Sequence, residues 1–116
     1  MLAEVKELYD IDQWTYEDFL AFVLMYAGYS DNILKPDEQE AIERMVGEGK
    51  ASMAKKVINK LNDQEQIELI LSFKEKYFAT KEAQEKMYAD MTKIYHSDGV
   101  FNQIERIALM YLKKLI

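Results

Sequence analysis

The chain has 116 residues, 49% hydrophobic and 31% charged, with a formal net charge of -6. Those proportions belong to a folded globular chain, and the length suits one domain burying roughly two thirds of its unfolded surface. Without cysteine, disulfide staples, thiolate metal sites and cysteine nucleophiles are excluded, which is compatible with a reducing compartment. The acidic balance disfavours phosphate-backbone binding, hence nucleic acid, and suits a cation or a basic partner. The N-terminus lacks a basic region followed by an apolar one. The longest apolar run, Phe19 to Ala27, is too short to cross a bilayer. A cytoplasmic location with no direct membrane insertion is expected.

In chain order, residues 1–10 suit a short helix with Leu2, Val5, Leu8 and Tyr9 on one side, so that 1–14 reads as an N-terminal extension or short helix. Thr15 then caps a second helix, with Asp18 at its third position and Trp14 placed to staple onto Phe19. That helix carries Phe19, Phe22, Val23, Tyr26 and Ala27 on one stripe, widened by Leu20 and Leu24. A helix apolar on most sides belongs at the centre of a bundle. Its end falls at Gly28 or Tyr29.

A helix from Pro36 to about Val46 should bury Ala41, Ile42, Met45 and Val46. Gly47 and the Glu48-Gly49-Lys50 that follows read as a helix stop and connector. Ala51, Ala54, Val57, Ile58 and Leu61 mark the next stripe. Asn62 to Glu65 forms a second capping box, opening a helix with Ile67, Ile70, Leu71 and Phe78 inward. Thr80 caps a further helix carrying Met87, Met91, Ile94 and Tyr95. The last has Ile104, Ile107, Ala108, Tyr111, Leu112 and Leu115 at helical spacing, with Lys113 and Lys114 complementing its dipole. No stretch alternates as a strand does. The fold class is all-α: a compact bundle of six to seven short helices.

One short pattern occurs twice. Ser30-Asp31-Asn32-Ile33-Leu34 leads to Glu38, and Ser97-Asp98-Gly99-Val100-Phe101 leads to Glu105, 67 residues later. In each, Asp precedes a residue that tolerates positive φ, two apolar residues follow, and a Glu falls in the next helical stretch. Pro36 sits at a first helical position, and Asn102 with Glu105 fits a capping box. Both copies read as helix, acidic loop, helix. They suggest two pseudo-symmetric units packed face to face, since two copies at this spacing are not a solenoid.

The Ser-Asp-Gly-Val-Phe-x-x-x-Glu segment, its partner at Asp31 to Glu38 and the helical frame resemble the TerB-like family of tellurite-resistance operons. The resemblance covers most of the chain from about residue 15 and makes 1–116 a single TerB-like helical domain. It implies a stress-response role, cation binding or sensing, protein partners and a membrane-associated complex. It also implies Asp31, Glu38, Asp98 and Glu105 as the acidic positions of the two loops. The first loop departs from the family pattern, with Asn32 for glycine and Lys35 for the usual capping Ser or Thr.

Four such carboxylates would favour a hard divalent cation: calcium, magnesium or manganese. The loops are not EF-hands, because positions three and five would be Ile33 and Lys35, or Val100 and Asn102. The alternative is that each Asp closes its own turn and each Glu caps the following helix, worth about 1 kcal/mol per cap.

His96 is the only histidine and stands where a helix C-terminus favours a cation. One histidine does not supply the paired Glu-x-x-His of a di-iron bundle. No P-loop, Gly-x-Ser-x-Gly or His-Glu-x-x-His is present. The expected function is therefore a non-enzymatic stress-response or interaction module. A small enzyme or ligand-binding protein, with its site between the halves, is the alternative. Tyr9, Tyr16, Tyr29 and Met110 lie off the main stripes as interface candidates. The acidic face of Asp37, Glu38, Glu40, Glu43 and Glu48 is a docking site for a basic partner or a solvated surface.

Overall fold

A computed structural model describes residues 2–29 and 36–98, with the backbone alone for Glu38 and for residues 91–98. Its helices are α1 (Leu2–Leu8), α2 (Tyr16–Gly28), α3 (Pro36–Val46), α4 (Glu48–Ile58), α5 (Asp63–Ser72), α6 (Lys74–Tyr77) and α7 (Lys81–Asp98), with a 3-10 turn at Ile11–Gln13. Among the described residues there is no strand. The fold is all-α.

The middle of the molecule is α2. Phe19 through Met25, with Ala27 and Gly28, are all buried, because the helix is apolar on nearly every side and must be enclosed on nearly every side. It packs most extensively against α4, then α3, and also meets α5 and α7. Small residues on α4, Ala51 and Ala54, are buried and allow that close approach. The remainder of the core comes from Ala41, Ile42 and Val46 of α3, Leu69 and Ile70 of α5, Phe73, Phe78 and Met87.

Local chemistry sets the junctions. Thr15 Oγ1 accepts from Asp18 N, and the Asp18 carboxylate accepts from Thr15 N at 2.9 Å. Asn62 and Glu65 form the same reciprocal pair at 2.8 and 3.0 Å. Thr80 Oγ1 accepts from Ala83 N at 3.1 Å at the start of α7. Each pair satisfies N–H groups that a helix start leaves without intrahelical partners. Between α1 and the 3-10 turn, Asp10 takes φ 53°, a left-handed position that Asp tolerates better than most residues.

The structure corrects several expectations. Glu48, Gly49 and Lys50 are not a connector but the first residues of α4, and Gly47 alone links it to α3. Gly47 N donates to Glu43 O and Gly47 O accepts from Ala51 N, so one residue closes one helix and opens the next. The helix from Asp63 ends at Ser72, and Phe73 alone separates it from the short α6. Leu69, with Ile70, is the buried pair of α5, whereas Ile67 and Leu71 are half-buried. Leu8 is 69% exposed instead of facing inward, since the chain turns away from α1 at Asp10. Trp14 stacks on Phe73 and tilts against Phe22, while Phe19 pairs with Phe73, Tyr77 and Phe78. Tyr9, Tyr16 and Tyr29, expected at an interface, pack partly buried against the core. The final helical stripe, Met110 within it, and the shapes of both acidic loops lie outside the described residues.

Candidate functional site

Of the four acidic positions, Asp31 and Glu105 lie outside the described residues. Glu38 is the third residue of α3, and Asp98 is the last residue of α7. Ser97 and Asp98, the first two residues of the second acidic segment, are thus the last two of α7, and the rest of the segment lies outside the described residues. The helices that carry Glu38 and Asp98 pack against one another. Among the described residues no three His, Asp or Glu side chains gather as a metal-ion site would need. His96 lies within α7.

A groove does form between α3 and α4. These helices fold back on each other about Gly47, so that Gln39 and Lys55, each eight residues from it, meet. Lys55 Nζ donates to Gln39 Oε1 at 3.0 Å, and Gln39 Nε2 donates to Glu43 Oε1 at 3.0 Å. The groove is open, has a volume of about 530 Å³, and is lined by Pro36, Gln39, Glu40, Glu43 and Lys55. Its polar groups are bonded to each other along one wall, which leaves carboxylates on its rim. Asp37 and Glu40 stand exposed beside it.

A second polar cluster fastens α7 to the start of α2. The Tyr16 hydroxyl donates to Asp90 Oδ2 at 2.7 Å. Lys86 Nζ lies 3.3 Å from the same oxygen and 3.9 Å from the Tyr16 ring centroid, so one ammonium faces both a carboxylate and a π-cloud. The Tyr77 ring meets Tyr16 edge-on, and its hydroxyl donates to Trp14 O at 2.6 Å. The cluster is a structural tie, with each donor matched to an acceptor.

Burial, then the hydrogen bond to Asp90 and its negative charge, pushes the Tyr16 hydroxyl well above the ordinary tyrosine range. The unfolded chain would lose this proton near pH 10, while the folded chain keeps it. Stability from this group is therefore whole below about pH 10 and falls as pH rises beyond it. Denaturant midpoints measured from neutral to strongly alkaline pH should show a steeper alkaline loss in the wild type than in Tyr16→Phe. At neutral pH the variant should be less stable by about 1 kcal/mol, from the lost hydrogen bond.

Neither cluster was named from the sequence. The i,i+4 pairs Gln39–Glu43 and Lys86–Asp90 are visible there as helix-face neighbours. Their third members, Lys55 and Tyr16, come from other helices and carry no local signal.

No protein-family model, curated protein or solved structure matches the chain. Among the described residues no helix is long and apolar enough to cross a membrane.

Proposed function

We propose that this chain is a non-enzymatic protein-interaction module, of the stress-response kind its TerB-like motifs imply, which docks a basic partner segment on α3. The observation that carries this reading is the division of α3 into two faces. Ala41, Ile42 and Val46 are buried against the bundle, while Asp37 and Glu40 are exposed and Glu43 rims an open groove. Complementary charge at such a surface steers encounter and sets register more than it supplies raw affinity. Titrating labelled protein with a lysine-rich peptide should shift the amide signals of residues 37–43, and an acidic peptide of equal length should leave them in place. Glu40→Lys with Glu43→Lys should abolish the shifts. Equal response to both peptides would remove the reading.

The packing of α3 on α7 favours a second reading alongside the first: cation binding through Asp31, Glu38, Asp98 and Glu105. Calorimetric titration with calcium, magnesium and manganese should then give heat that Asp98→Asn diminishes. Silence from all three ions at millimolar concentration would end it.

A further inference from the structure

We propose that the partner surface for α3 is α4 of a second copy of this chain, the two copies pairing across a two-fold axis parallel to these helices. The inference rests on the interaction-module reading and names its partner. Because the hairpin turns at Gly47, the start of α3 lies beside the end of α4. Asp37 and Glu40 stand exposed at that end of α3, and Lys56 and Lys60 stand exposed at the end of α4 and just past it. None of the four takes part in an ion pair among the described residues.

A two-fold axis running along the hairpin lays α3 of one copy over α4 of the other without exchanging the ends. Asp37 and Glu40 then face Lys60 and Lys56, and every contact occurs twice, as an isologous interface requires. A perpendicular axis would instead lay each α3 antiparallel along the other α3 and carry its acidic start away from the lysines of α4. The face also permits close approach. Gly49 and Ser52 are small and exposed, a Cβ added at Gly49 would meet nothing within 4 Å, and Met53, 36% exposed, supplies apolar area. Exposed charge pairs are weak singly and are screened by salt, so pairing belongs to high protein concentration and low ionic strength.

Sedimentation equilibrium of the full chain at about 10 mM and about 500 mM salt tests this, since the screening length falls from about 30 Å to a few Å over that range. The weight-average mass should rise toward twice that of the monomer at low salt and return to it at high salt. Asp37→Lys with Glu40→Lys, and separately Lys56→Glu with Lys60→Glu, should each stay monomeric with unchanged circular dichroism. An equimolar mixture of the two variants should restore the pair, because reversed α3 then faces reversed α4. A wild type that stays monomeric at low salt overturns the inference, as does a mixture that fails to pair. If the wild type is monomeric while the lysine-rich peptide still binds α3, the second-copy assignment falls and the interaction-module reading stands. If neither binds, both fall.

Discussion

Phe19→Ala should cost about 3–5 kcal/mol of stability, the range for emptying an aromatic site that cannot collapse. Phe19 has no exposed surface. Its ring centroid lies 5.2 Å from that of Phe73, 5.5 Å from Tyr77 and 5.6 Å from Phe78. Those neighbours come from the α5–α6–α7 side of the molecule, whereas Phe19 stands on α2, so its removal separates two bodies of the fold rather than thinning one helix. Aromatic pairs contribute about 0.5–1.5 kcal/mol beyond the area they bury, which places Phe19 toward the upper part of the range. Urea unfolding followed by far-ultraviolet circular dichroism measures the loss. Phe19→Leu should retain much of the packing and cost distinctly less. A cost for Phe19→Ala below about 1 kcal/mol would mean that the aromatic cluster does not hold the bundle together.

Gly47→Ala is the second large effect, expected at about 1–3 kcal/mol. Gly47 has φ 96° and ψ 149°, a region that only glycine enters freely. A Cβ there would meet no atom within 4 Å, so the penalty is one of backbone conformation and not of collision. Gly49 gives the control two residues away. It lies inside α4, and its added Cβ would also meet open space, so Gly49→Ala should stabilise by up to about 1 kcal/mol. Opposite signs from two neighbouring glycines, read from the same denaturant curves, would show that the α3–α4 turn is the cause.

The sequence carried the fold wherever the signal was short-range. Thr15 with Asp18, and Asn62 with Glu65, declare helix starts within four residues, and both boxes form. Pro36 and Val46 bound α3 as read, because proline favours a first helical position and glycine follows the end. The central place of α2 followed from its apolar girth. Residues 47–50 look like a connector because two glycines so close together suggest a break, and only the three-dimensional turn shows which of them needs positive φ. The division between α5 and α6 has no local signal, because Phe73 is apolar on either reading. The acidic motif was legible as a motif, and the structure adds that Asp98 ends α7 and that α3 and α7 are neighbours. The groove wall and the tie to α7 were not legible at all. Lys55 lies 16 residues from Gln39, and Asp90 lies 74 from Tyr16, and no local pattern announces contacts at such separations.

Trp14 is the chain's single tryptophan. It is 5% exposed, lies nearly parallel to Phe73 at 6.1 Å, and has its carbonyl held by Tyr77 Oη and Lys76 Nζ. An indole so enclosed emits toward the blue and moves to the red once water reaches it, so one intrinsic chromophore watches the seam between the start of α2 and the α5–α6 corner. If that seam opens ahead of the remaining helices, emission will change at a lower denaturant concentration than ellipticity. Coincident curves would make the seam and the bundle one cooperative unit.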